Sequence, residues 1–256
     1  MASDTLLQHV LWWLAPALEV AIAVAMLHKK QVKQFPLFLA FVVVHLVLFI
    51  VTYAAYRYSY RAYFYTYWGS IPVDVLTTLF VIEELYRGVL APYRAVQGLG
   101  VVIFRFTAIT LFAVAIGTAY AAPGTDSYRI VAGLVVIDRS AAFVEAGLLI
   151  VLFITCSVLG IAWRSYHFGI AAGMAVQASV GTAIACLRAQ FGTGADVPYA
   201  LGQALAFNLG MAVWLYYLVS ARSVIVSHAE AGSRHLAAWN LALDGILHGN
   251  RTSVDH

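Results

Sequence analysis

The sequence predicts an all-α, polytopic membrane protein with seven transmembrane helices. Of its 256 residues, 62% are hydrophobic and 11% are charged, and the mean hydropathy is +0.84. An ordinary soluble domain has about 45–50% apolar and about 25% charged residues. The apolar residues form seven long stretches separated by short polar loops, and a helix needs roughly 20 residues to cross a bilayer. We therefore expect a multi-pass protein of the cytoplasmic (inner) membrane, with the lipid bilayer as a partner.

The seven apolar stretches define the predicted helices in order. They lie near residues 7–28, 35–56, 64–86, 98–121, 130–158, 168–188 and 199–221. This bundle fills residues 1–222, and we expect no room for a soluble catalytic or signalling domain. The first stretch lacks a basic leading region and is followed by Lys29 and Lys30. That charge order is the reverse of a secretory signal, so we expect this stretch to be a span.

Basic residues in the loops predict the orientation of the bundle. With loops assigned to alternate sides, one side carries nine Lys and Arg and the other carries Arg57, Arg61, Arg129 and Arg188. Cytoplasmic loops usually hold the excess of basic residues, so the amino terminus is expected outside and the carboxyl terminus inside. The net charge of +3 then reflects this loop bias, and no nucleic-acid partner is expected.

Residues 223–256 form a predicted cytoplasmic tail with one amphipathic helix. Its apolar residues recur at three-and-four spacing, at Leu236, Trp239, Leu243 and Ile246. Such a segment can lie on the inner leaflet, and this is the favoured interpretation. The alternative is a docking helix for a protein partner.

The loop between the second and third predicted helices is dense in aromatic and basic residues. We predict an outer mouth formed by Arg57, Tyr60, Arg61 and Tyr63, together with Arg188 before the seventh helix. Tyr is enriched at the headgroup level of membranes, so one interpretation is an aromatic belt. The other is an outer vestibule in which guanidinium groups over Tyr rings capture an anionic or aromatic ligand.

The first three and the last three predicted helices share spaced identities. The matches are residues 61–66 with 188–193 at four of six positions, Glu19 with Glu145, and Pro72 with Pro198. They favour two three-helix units related by an internal repeat. Short identities also arise by chance in a membrane sequence of limited composition, and that alternative stays open.

In this arrangement the repeats are residues 7–86 and 130–221, and the helix at 98–121 links them. Because the linking helix inverts the chain, the two units would be parallel and related by an axis along the membrane normal. This three-plus-one-plus-three plan resembles the architecture of SWEET sugar transporters and their PQ-loop relatives. The chain contains no Pro-Gln dipeptide, so the resemblance is to the plan alone.

Ionisable and polar residues interrupt the apolar stretches. The charged residues are Glu19, Asp74, Arg105, Asp138, Arg139 and Glu145, and the neutral or titratable ones are His45, Gln177, Gln203 and Asn208. A charge at the bilayer centre costs roughly 2.5–3.5 kcal/mol on insertion scales, so such residues usually face the bundle interior and often have a function. We therefore expect a central polar pocket formed by the six charged residues.

The charges of this pocket do not balance, because four carboxylates face two arginines. Two carboxylates would then lack an ionic partner and could bind a proton or a cation reversibly, as in a coupled carrier. The alternative is a set of structural ion pairs and helix-to-helix hydrogen bonds completed by Gln177, Gln203 and Asn208. Asp74 is the leading functional candidate, because it lies close to the middle of its span. His45 is interpreted as a core histidine with satisfied hydrogen bonds rather than a metal ligand.

Several classes of function are not supported by motifs. A retinal Schiff base needs a lysine in the last helix, and this chain has only Lys29, Lys30 and Lys33. There is no HExxH, GxSxG or Walker sequence, so we predict no enzyme activity, catalytic residue, metal or cofactor. Cys156 and Cys186 have no ligand spacing and are expected to be small packing residues.

Some segments resemble uncharacterised bacterial proteins with seven transmembrane helices. They are residues 59–68, residues 163–164 with 168–171, and residues 187–192. The resemblance implies a shared fold over most of the chain. It implies no activity and assigns no role to any residue.

The predicted function is a small-solute carrier, in which the two three-helix units rock about the central pocket. Pro72 and Pro198 would permit bending near the outer gate, and a carboxylate would exchange a proton during transport. One alternative is a ligand-sensing receptor whose aromatic mouth binds a signal and whose inner loops or tail engage a separate output protein. The other is a membrane scaffold or assembly subunit in which the buried charges are structural.

Overall fold

The computed structural model describes residues 2–91, nine positions between 102 and 117, and residues 126–158, 165–191 and 196–220. These segments contain six long helices and no strand. The helices are α1 (Ala2–His28), α2 (Pro36–Tyr58), α3 (Tyr60–Leu90), α4 (Asp126–Val158), α5 (Tyr166–Phe191) and α6 (Asp196–Ser220). The all-α fold and six of the predicted helices are confirmed. The predicted tail, residues 223–256, lies outside the described residues.

Five of the helices are long and apolar enough to cross a membrane. Their candidate spans are His9–His28, Pro36–Tyr58, Gly133–Ser157, Tyr166–Ile184 and Ala200–Ser220. This supports the predicted class of membrane protein. The third predicted span corresponds to α3, which is not among the five because charged and polar residues such as Arg61, Ser70 and Asp74 interrupt it.

The six helices pack as a closed ring. Each helix packs against the next one in the chain, and α6 packs back against α1. The nine described positions of the fourth predicted helix, 98–121, are all helical and all exposed. That part of the chain therefore presents its described face away from the ring.

Helices α3 and α4 run in the same direction. Asp74 of α3 and Asp138 of α4 line the same cavity, and farther along both helices the Tyr86 hydroxyl donates a hydrogen bond to the Leu148 carbonyl at 2.6 Å. Helices α1, α2 and α3 are joined by short connections and alternate in direction. Because α3 and α4 are parallel, the chain between Ala91 and Asp126 must return from the end of α3 to the opposite end of the bundle.

The hydrophobic core occupies the half of the bundle that contains the α1–α2 connection, which we call the packed half. Its largest fully buried side chains include Met26, Phe38, Leu85, Leu149 and Trp214. Each comes from the part of its helix that lies nearest this connection. The opposite half, which contains the α2–α3 connection at residue 59, is called the cavity half.

Glu84 of α3 caps the start of α2 in the packed half. Its two carboxylate oxygens accept hydrogen bonds from the backbone N–H groups of Leu37 and Phe38, each at 2.9 Å. The first N–H groups of a helix have no partner within the helix, so the carboxylate satisfies two of them. A negative charge at this position also complements the helix dipole.

Glycines allow α5 and α6 to approach closely in the packed half. A Cβ atom on Gly210 would lie 2.8 Å from the Gly173 carbonyl oxygen. At the same seam, the Trp214 indole donates a hydrogen bond to the Ile170 carbonyl at 2.8 Å. Small residues at helix interfaces permit such contact between backbones in membrane proteins.

Replacing Gly210 with alanine is expected to lower the free energy of unfolding by about 1–3 kcal/mol, because the added methyl group overpacks the seam. Thermal unfolding of the detergent-solubilised protein measures this change. Gly147→Ala is the matched control, since no atom lies within 4 Å of its added Cβ. Equal stability of the two variants would contradict a close backbone contact at Gly210.

Candidate functional site

A cavity of about 380 Å³ lies in the cavity half of the bundle, between α1, α2, α3 and α6. This volume falls within the roughly 300–1,000 Å³ of small-molecule sites. Glu19, His45 and Asp74 line its deep end near the middle of their helices. Trp12 and Tyr67 also line the cavity, two helical turns closer to the α2–α3 connection.

The cavity forms because several helices present one polar or aromatic face to it. In α3, the lining residues are Tyr63, Tyr67, Ser70, Ile71 and Asp74. Apart from Ile71, their spacing of four, three and four residues places them on one side of a helix. Several of the polar residues that make α3 the least apolar helix therefore face the cavity.

His45 joins two carboxylates from neighbouring helices. Its Nδ1 lies 3.1 Å from Glu19 Oε1, and its Nε2 lies 3.0 Å from Asp74 Oδ1. The ring also stacks on Phe207 of α6, with 5.0 Å between ring centroids. A single imidazole on α2 therefore links α1, α3 and α6.

The two hydrogen bonds determine how many protons this trio holds. If both carboxylates are ionised, both ring nitrogens must carry a proton in order to donate. If the ring is neutral, only one of its nitrogens carries a proton. One of the carboxyl groups must then be protonated, so that its O–H donates a hydrogen bond to the other ring nitrogen. Either arrangement holds two protons and has a net charge of −1. A proton can thus move within the trio without a change in its total charge.

Two buried acceptors of residues that line the cavity have no hydrogen-bond partner among the described residues. They are Glu19 Oε2 and Asn208 Oδ1, and their residues are 1% and 6% exposed. The amide orientation of Asn208 is determined by its Nδ2, which donates to the carbonyls of Leu11 at 3.1 Å and Ala204 at 2.8 Å. Its oxygen is therefore left as an acceptor. Buried polar groups without partners are rare in folded proteins, and each calls for a partner such as water, an ion or another bound group.

A second cavity of about 70 Å³ continues from the first between α3 and α4. Asp74 and Asp138 line both cavities, and Glu145 lines the second. Ala141 and Ala142 also line it, and their small side chains leave space along this face of α4. Acidic groups therefore extend from the deep end of the main cavity toward the packed half.

The structure thus brings together Glu19, His45, Asp74, Asp138, Glu145 and Asn208. Arg105 lies elsewhere, and the expectation that it joins the central pocket is corrected. Its guanidinium is 3.9 Å from Glu83 Oε1 in the packed half, and its side chain is 65% exposed. Glu83 also pairs with Arg87 one turn along α3. Arg139 belongs to α4, but its side chain lies outside the described residues.

The remaining predicted residues take other places. The amide groups of Gln177 and Gln203 connect α5 and α6, because they donate to the carbonyls of Phe207 at 3.3 Å and Gly181 at 3.4 Å. Tyr63 of the predicted outer mouth lines the main cavity. The other mouth residues that the structure describes are exposed, namely Arg57, Tyr60 and Arg61. The side chain of Arg188 lies outside the described residues.

Sequence reasoning missed most of the aromatic wall and underrated one residue. Trp12, Phe49 and Phe207 line the cavity but were not among the predicted site residues. His45 does have satisfied nitrogens, as predicted, but its partners are the carboxylates of the cavity. The i, i+4 spacing of His45 and Phe49 on one face of α2 was the signal that could have connected them.

No group of three or more His, Cys, Asp and Glu residues is arranged to hold a metal ion within the described parts of the chain. Comparison of the chain with protein families, with curated proteins and with solved structures finds no match.

Replacing His45 with alanine is expected to lower the free energy of unfolding by about 3–5 kcal/mol, since it leaves the buried Glu19 carboxylate without an ionic partner. Unfolding of the purified protein in detergent measures the loss. His28→Ala, at the exposed end of α1, is the control and is expected to change stability by less than about 0.5 kcal/mol.

A second substitution separates the stranded charge from lost packing. Adding Glu19→Ala to His45→Ala removes the carboxylate as well, so the double variant is expected to be more stable than His45→Ala alone. A double variant whose loss equals the sum of the two single losses would contradict the pairing.

Proposed function

We propose that the protein is a seven-helix inner-membrane carrier that moves a small solute through the main cavity in a step coupled to a proton. One observation carries this proposal. Titratable groups from four helices line two adjoining cavities in the order Glu19, His45, Asp74, Asp138 and Glu145. Chains of acidic groups and histidines are typical of proton relays in transporters.

The course of the chain supports seven membrane crossings. Because α3 and α4 run in the same direction, a further crossing must lie between them, and the nine described positions between 102 and 117 are helical. These positions are exposed, and Arg105 lies 3.9 Å from Glu83 of α3, as expected for a helix beside the ring that links two three-helix units. With the predicted orientation, the cavity half faces outward.

Proton coupling would arise from competition for the carboxylates. The trio of Glu19, His45 and Asp74 holds two protons when both of its hydrogen bonds are made. A solute that binds one of these carboxylates competes with the imidazole for it, and one of the two protons of the trio is released. The released proton can pass to Asp138 and Glu145, which line the adjoining cavity. Return of the proton would then release the solute.

Two prolines next to the trio support bending of the helices during transport. Pro16 and Pro72 lie inside α1 and α3, close to Glu19 and Asp74 in the sequence. Each removes a backbone donor and weakens its helix at that point. Pro198, which was predicted to act with Pro72, lies in the first turn of α6. No helical hydrogen bond is lost there, so the partner hinge proposed for Pro72 is Pro16.

A ligand-sensing receptor is the second candidate, and one observation favours it. The packed half is filled by large, fully buried side chains from all six helices. A receptor needs a cavity that is closed at one end, whereas a carrier must open this half in every cycle. Binding without flux would therefore identify a receptor.

Asp74→Asn is expected to reduce proton-coupled uptake on the order of tenfold or more, because the amide cannot exchange a proton. The measurement uses vesicles that contain the purified protein and a pH-sensitive dye, with a proton gradient across the bilayer. Amines, sugars and carboxylates are added in turn, and the solute-dependent proton flux is recorded. Asp255→Asn, in the tail, is the matched control and is expected to transport at the wild-type rate.

The alternatives give different results in the same vesicles. Solute binding to the protein without solute-dependent flux in any vesicle would overturn the carrier and leave the receptor. Flux that is unchanged in Asp74→Asn would remove the trio from the mechanism. Flux that is lost equally in Asp255→Asn would show damage unrelated to the cavity.

A further inference from the structure

The chemistry of the main cavity indicates the charge of its ligand. The described residues that line it include the carboxylates Glu19, Asp74 and Asp138 but no Lys or Arg. The trio of Glu19, His45 and Asp74 has a net charge of −1 in both of its hydrogen-bonded arrangements. An anion would meet no Lys or Arg among the described lining residues, and the net negative charge of the trio would repel it. A cation would neutralise the trio.

Two unpartnered acceptors beside the cavity agree with a ligand that donates hydrogen bonds. Glu19 and Asn208 line the cavity and are more than nine-tenths buried, and Glu19 Oε2 and Asn208 Oδ1 have no partner among the described residues. Both oxygens expose almost no surface, so a ligand would reach them only when the wall moves on binding. A carboxylate oxygen and an amide oxygen each accept a hydrogen bond and cannot donate one. Their complement is an N–H or O–H donor.

The walls of the cavity indicate an organic body rather than a bare metal ion. Trp12, Phe49, Tyr67 and Phe207 line it, and Trp12 and Phe49 are in edge-to-face contact with 5.3 Å between ring centroids. Aromatic faces attract organic cations through their quadrupoles. A volume of about 380 Å³ also exceeds what a single ion needs, since pockets of this size hold small molecules.

We propose that the main cavity binds a small organic ammonium compound with an apolar or aromatic body. Its ammonium group lies beside the carboxylates of Glu19 and Asp74, and its body packs against Trp12, Phe49 and Phe207. This proposal rests on the proposed function, since it names the substrate class of the same cavity. In a carrier, the bound ammonium group and the protons of the trio are attracted by the same carboxylates and repel each other, so solute and proton would compete.

Three probes of equal shape and different charge test the proposal. They are 2-phenylethylammonium, 2-phenylethanol and phenylacetate, titrated into the full-length protein in nanodiscs by calorimetry. The ammonium compound is expected to bind about tenfold or more tightly than the alcohol, because its hydrogen bonds are charge-assisted. Phenylacetate is expected not to bind. Equal affinity for the three probes, or a preference for the alcohol or the anion, would overturn the proposal.

Substitutions in the aromatic wall test the ligand class without changing the trio, and one substitution in the trio tests its carboxylate. Phe49→Leu is expected to weaken binding of the ammonium compound by a larger factor than binding of the alcohol, because leucine has no aromatic face to attract the cation. Phe80→Leu, on an exposed face of α3, is the matched control and is expected to leave both affinities unchanged. Glu19→Gln is expected to remove the preference for the cation. A preference that survives in Glu19→Gln would overturn the assignment of that carboxylate.

The failures of the two proposals can be told apart. Tight binding of 2-phenylethylammonium without flux into vesicles contradicts the carrier and supports the ligand class. Flux of phenylacetate or 2-phenylethanol without binding of the amine supports a carrier and overturns the ligand class. No binding of any probe to a folded protein overturns the ligand class as well.

Discussion

The rest of the cavity depends on the hydrogen bonds between His45 and two carboxylates. Glu19 is almost fully buried in an apolar helix, and a buried carboxylate without a partner strongly destabilises a fold. The imidazole supplies that partner and reaches Asp74 on the other side. These contacts determine how α1, α2 and α3 are rotated about their axes. The aromatic residues on the same helix faces are thereby turned toward the cavity.

The two halves of the bundle have different physical tasks. In the packed half, buried side chains, the α5–α6 glycine seam and the Glu84 contact to the start of α2 hold the helices together. In the cavity half, space and polar groups replace that core. Stability is therefore concentrated at one end, and the other end is left to bind a ligand. A carrier would have to loosen the packed half, and Pro16 and Pro72 lie between the two halves.

In the proposed carrier, the proton and the cation would be coupled because both are attracted by the same carboxylates. The trio keeps one net negative charge whichever group carries its protons, so this charge would attract one cation at a time. Selectivity and coupling would then arise from one group of residues, because both depend on which positive charge lies beside it.

Composition and hydropathy were sufficient to predict an all-helical membrane protein and six of its helices, because apolar stretches of this length have few other stable structures. They also singled out Glu19, Asp74 and Glu145, which line the two cavities. Only the tertiary structure placed Arg105 beside Glu83 and joined His45 to two carboxylates. Helical periodicity determines which residues share a face. It does not determine which neighbour that face meets, since these helices are apolar on nearly every side and their rotation is decided by packing and by pairing of the few polar groups.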